Sequence, residues 1–132
     1  MKSLYIAAGL FFSVIIFLTA NYFCINSLLD YTMEQLDKIS ESVEEIEALN
    51  EAELDEIKKI LDDIKEKWDS RENYVCMSLN HETSREFMEQ LMSAISFFDS
   101  EEYPEFLSEK DAATDSLDHM KFDEGFKIGN IF

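Results

Sequence analysis

Proline occurs once in this sequence, at Pro104; glycine occurs three times, cysteine twice, and basic side chains are outnumbered 11 to 29 by acidic ones. Each scarcity excludes something. With so few chain-breaking residues, long helices are expected in place of short strands joined by tight turns. No glycine-rich loop is available to cradle a phosphate, and no Gly-x-Ser-x-Gly nucleophile turn is present. The acidic runs lack the glycine that a calcium-binding EF-hand loop requires. The shortage of Lys and Arg argues against nucleic acid, which proteins hold largely through those residues at phosphates. It argues equally against attraction to anionic lipid head groups.

The apolar residues are unevenly spread. Residues 3–29 contain no charge, and only Lys2 among all charged residues precedes Asp30. The chain from residue 30 onward therefore carries ten basic and 29 acidic side chains, a net of −19. The stretch LYIAAGLFFSVIIFLTANYFCI, residues 4–25, would rise about 33 Å as a helix, the thickness of a hydrocarbon core. A cleaved signal would be shorter and would end on small residues. Here Leu18-Thr19-Ala20 is the nearest match, and the run continues through Tyr22, Phe23 and Ile25. Residues 4–25 are thus expected to be a retained transmembrane helix. Lys2 before the span and Asp30, Glu34 and Asp37 after it put residues 1–3 in the cytoplasm and the remainder outside the cell membrane.

Beyond the span the apolar residues fall at helical spacing. Leu29, Met33, Leu36, Ile39, Val43 and Ile46 continue the membrane helix to about Leu49. Asn50 followed by Glu53 has the form of a capping box, opening a stripe of Leu54, Ile57, Ile60, Leu61, Ile64 and Trp68. Its other face carries i,i+4 pairs such as Asp55–Lys59 and Asp63–Lys67. Thr83-Ser84-Arg85-Glu86 repeats the capping pattern before Phe87, Met88, Leu91, Met92, Ile95 and Phe98, with a break expected near Asn80–Glu82. Ser100 is placed as the cap of a last segment containing Tyr103, Phe106, Leu107, Ala113, Leu117 and Met120. The chain after Lys121 reads as irregular. The fold class is all-α: an N-terminal transmembrane helix (4–25) running into an antiparallel bundle of three to four helices (26–121), then an apolar tail (122–132).

Few side chains invite chemistry. His81 and His119 are the candidates for acid–base or metal work; His119 has Asp115 at i−4 and Asp123 at i+4, but zinc needs three or four ligands in fixed geometry. No catalytic, cofactor or metal site is assigned. Cys24 and Cys76 stand equally far from Asn50, so an antiparallel hairpin brings them to one height, where a disulfide can form outside the cytoplasm; both also lie one position off their apolar stripes. Trp68 is read as a core anchor, and as a partner contact only if exposed. Met88 and Met92 are read as core. Phe126, Ile128, Ile131 and Phe132 either fold over the bundle or meet a partner or the membrane surface.

The span, Trp68, Leu79 followed by His81, Leu117-Asp118-His119 and Asn130-Ile131-Phe132 together resemble an uncharacterised Firmicutes family of short, mostly clostridial single-span proteins, domain of unknown function 4363. The chain departs from that pattern in its acidity around Asp69-Ser70-Arg71-Glu72. The resemblance implies a membrane-tethered helical domain with no assigned reaction, beside a multi-span membrane protein. The expected function is a non-enzymatic scaffold that binds another envelope or membrane protein. The alternatives are a small metal-dependent or acid–base enzyme using His81 and His119, and an acidic cation-binding domain.

Overall fold

A computed structural model of the chain describes residues 1–71 and 81–131, with the side chains of 124–131 left aside. Among these residues there are five helices: α1 (Lys2–Asp37), α2 (Val43–Glu47), α3 (Glu51–Ser70), α4 (His81–Asp99) and α5 (Tyr103–Ile131). No strand occurs among them. The outer half of α1 packs against α3 and α5, and α4 packs against α3 and most extensively against α5. Each long helix therefore touches two others, and the four close into an up-and-down bundle with α2 lying on α5.

The helices pack because each buries one stripe spaced alternately by four and three residues, the knobs-into-holes seam of antiparallel bundles. On α3 the stripe is Ile57, Leu61, Ile64 and Trp68; on α4 it is Phe87, Leu91, Ala94 and Phe98. On α5 it runs Phe106, Lys110, Ala113, Leu117 and Met120, with Lys110 only 7% exposed. Lys110 pairs with the exposed Asp111 at 3.6 Å, its aliphatic stem filling a seam position as long cationic side chains commonly do. Expectation and structure differ at Met92, which is 54% exposed; Ala94, not Met92, lies on the seam.

A polar contact between α1 and α3 sits inside this core. Trp68, 3% exposed, donates its indole Nε1–H to Thr32 Oγ1 at 2.9 Å. The same hydroxyl donates to Leu28 O at 2.7 Å. The indole also lies 4.5 Å from the Phe87 ring, centroid to centroid. Thr32 and Trp68 are each eighteen residues from Asn50, so the height rule of a hairpin turning at Asn50 holds for this pair.

The connections are specified locally. Asn50 and Glu53 form the expected capping box: Glu53 N–H donates to Asn50 Oδ1 at 2.9 Å and Asn50 N–H to Glu53 Oε2 at 2.8 Å. The stripe from α1 towards Ile46 keeps its spacing, but the helix does not. It ends at Asp37 and resumes as α2, whose cap Ser42 accepts from Glu45 N–H. Ser100 closes α4 and does not cap α5, since its N–H bonds to Ser96 O. Glu101 then takes a left-handed conformation (φ 59°). Its N–H reaches Phe98 O and that of Glu102 reaches Phe97 O, completing a Schellman turn with glutamate where glycine is usual. Thr83 and Ser84 lie inside α4, which is helical from His81; the expected break at Asn80 falls outside the described residues. The last difference is α5 itself, which is helical past Lys121 to Ile131.

Residues 2–20 of α1 are exposed throughout, whereas Ile25, Leu28, Leu29, Thr32 and Leu36 are buried. In the bare part, Ser13 and Thr19 turn their hydroxyls back onto the carbonyls of Gly9 and Ile15. The backbone there needs no external partner for these side chains.

Thr32→Val should strand the buried indole N–H and cost about 1–3 kcal/mol, while Thr32→Ser should recover most of that; denaturant unfolding in detergent micelles measures both. Glu101→Gly should stabilise the fold by about 1 kcal/mol by relieving the left-handed glutamate, seen as a higher midpoint in the same assay.

Candidate functional site

The seam leaves polar residues along the edges of the α4–α5 interface. Ser116 is buried and donates its hydroxyl to Gln90 Oε1 at 2.7 Å. Beside this pair a groove of about 460 Å³ opens between the two helices, lined by Glu86, Asp115, His119 and Asp123 together with Thr83 and Ala112. The i±4 spacing around His119 thus does gather its two aspartates on one groove, and α4 adds Glu86. Three carboxylates and one imidazole make it a place for cations in preference to anions. Yet among the described residues no group of three or more His, Cys, Asp or Glu side chains is disposed to hold a metal ion.

His81 lies elsewhere. It lines a second, open groove with Glu82, Arg85, Glu86 and Glu89 along α4, where Arg85 and Glu89 pair at 3.1 Å. The two histidines therefore border different grooves that share only Glu86. Trp68 is enclosed by the core. Ile131 closes the backbone of α5, with its side chain outside the described residues, and so are Phe132 and Cys76. Cys24 is half-buried on α1, where Arg71 Nη1 donates to its sulfur at 3.9 Å.

That last contact belongs to a collar that composition alone did not reveal. At the outer end of the apolar run, three cations from the C-terminal end of α3 and from α5 grip α1. Arg71 meets Cys24, Lys67 stands 3.6 Å above the Tyr31 ring, and Lys121 pairs with Asp30. The cation–π contact takes Lys67 away from the expected partner Asp63. On the opposite, acidic end, Lys58 bridges Asp62 at 3.5 Å and Asp99 at 2.8 Å, tying α3 to α4. The only forewarning of the collar was positional: Lys67 and Arg71 follow the α3 stripe, and Lys121 follows that of α5.

Among the described residues, two ionisable groups are displaced from their ordinary behaviour, and neither borders one of these grooves. The Lys65 ammonium is raised by its hydrogen bond and attraction to Asp69 on the outer face of α3. Burial raises the Tyr103 phenol, with the carboxylates of Glu101 and Glu47 adding to the effect.

A family model described as "Domain of unknown function (DUF4363)" matches residues 23–131. No curated protein and no solved structure matches the chain.

Because the folded state holds the Tyr103 proton more tightly than the unfolded chain, its contribution is complete below about pH 10, the unfolded value, and is lost as pH rises through the raised one. Thermal unfolding followed from pH 8 to 11 should therefore show a steeper alkaline decline in the native protein than in Tyr103→Phe.

Proposed function

The chain belongs to the DUF4363 family, and on that footing we propose that it is a membrane-anchored interaction module: residues 4–25 cross the bilayer, and the acidic bundle stands on the outer side to bind or position another envelope or membrane protein. The observation that carries this reading is the division of α1. One unbroken helix is apolar and bare on every side through residue 20, then one-sided and packed from Ile25 onward. A helix apolar all round must be surrounded by lipid or protein, and among the described residues nothing surrounds it. Length and composition suit a span.

The proposal treats the module as non-enzymatic. His81 and His119 border separate grooves, so an acid–base pair would need them brought together. The groove at His119 keeps a cation-binding reading alive as the second choice, because three carboxylates converge there.

In the native cell, the protein should stay with membranes through an alkaline carbonate wash, and protease added to wall-stripped intact cells should remove the bundle. Recovery of a soluble chain beginning near Asn21, or full protection of the bundle from protease, would overturn the topology. Cross-linking in those same membranes should yield a discrete adduct with a second membrane protein, and its persistent absence at saturating cross-linker would remove the interaction role.

A further inference from the structure

The collar fixes the height of α5 against α1. Lys121 meets Asp30, the first charged residue after the apolar run. From there α5 remains helical for ten more residues, to Ile131, about 15 Å at 1.5 Å per residue. Since α5 runs antiparallel to α1, its end descends to the level of Ala20, inside the stretch assigned to the span. The bundle therefore has no stalk: its last helix overlaps the outer leaflet boundary.

The composition of that segment suits the position. Lys121–Ile131 holds two lysines, one aspartate and one glutamate, and so is neutral in a domain whose net charge is −19. The repulsion from lipid head groups that the domain's charge implies is absent here. Its sequence also includes Phe122, Phe126, Ile128 and Ile131. Phe122 is 73% exposed, an aromatic ring left outside the core one residue past the collar. Aromatic residues concentrate at the height of the lipid head groups, where a flat apolar ring meets both phases.

We propose that α5 beyond Lys121 is a second membrane contact, seated in the outer interfacial layer of the bilayer beside α1, with Phe122 among the lipid head groups. The occupant of this surface is lipid, not a second copy of the chain or another protein. The inference rests on the reading that residues 4–25 span the bilayer. With two attachments the bundle is held at a set rotation about α1, and the groove lined by His119 and Asp123, next to the collar, opens immediately above the membrane.

Tryptophan fluorescence in phosphatidylcholine vesicles tests it with the full chain, since the native Trp68 is buried and supplies a constant background. Single added tryptophans are placed at Phe12→Trp in the span, Phe122→Trp, and Glu105→Trp at the far end of the bundle, and chain-brominated phosphatidylcholine serves as quencher. Phe122→Trp should show blue-shifted emission and be quenched at least half as strongly as Phe12→Trp, with Glu105→Trp unaffected. If Phe12→Trp is quenched while Phe122→Trp emits as in water, the second contact does not exist and the span stands. A blue-shifted but unquenched Phe122→Trp would mean that protein, not lipid, covers the ring, and would also overturn the proposal. Loss of quenching at Phe12→Trp would sink the span and this inference together.

Discussion

The bundle is organised around the buried hydroxyl of Thr32. Thr32 Oγ1 accepts a hydrogen bond from the Trp68 indole N–H and donates one to Leu28 O, so one small polar group satisfies the largest side chain in the core. An indole N–H enclosed without a partner would cost about 1–3 kcal/mol, a sizeable share of the roughly 5–15 kcal/mol that holds a domain folded. The contact also sets geometry. It fixes the height of α3 against α1, and the Trp68 ring in turn receives Phe87 from α4. Three of the four long helices are thereby registered at one level, and the apolar seams above and below can interlock without slipping.

That arrangement explains how an anionic domain stays compact. Its carboxylates crowd the far end, around α2 and the α4–α5 turn, while the cations that do most structural duty are gathered near the collar at α1. Individually such exposed pairs contribute little. Their placement still matters, because Lys67, Arg71 and Lys121 join α3 and α5 to α1 at the outer end of its apolar run.

The periodic residues made most of this fold legible. Ile57, Leu61, Ile64 and Trp68 on α3 could be read directly, as could Phe106, Ala113, Leu117 and Met120 on α5, because burial demands apolar side chains at that spacing. Asn50 and Glu53 were legible because a capping box is a local device needing no tertiary help. The features that escaped are those where another force prevailed. Ala94 outcompeted Met92 for the seam because the close α4–α5 contact admits a small residue there. Lys110 and Thr32 occupy seam positions that composition assigns to apolar side chains. Gly125 and Gly129 suggested a broken end, yet glycine costs a helix only about 1 kcal/mol each, and α5 continues. The turn at Ser42 was hidden because the stripe holds its spacing across a gap in the helix. The groove at His119 was half legible: the i±4 aspartates were visible, whereas Glu86 arrives from a different helix.

The uninterrupted course of α1 has a mechanical consequence. Thirty-six residues run from Lys2 to Asp37 with no proline, and one continuous helix joins the bare half to the packed half. The two halves therefore move as one lever. A change of about 10° in the lean of the lower half would swing the acidic tip sideways by about 5 Å, taking the bundle height as that of a nineteen-residue helix. Bilayers of different thickness impose different leans on the helices that cross them, so on the proposed topology lipid composition would reach the outermost carboxylates as a displacement carried along one continuous helix.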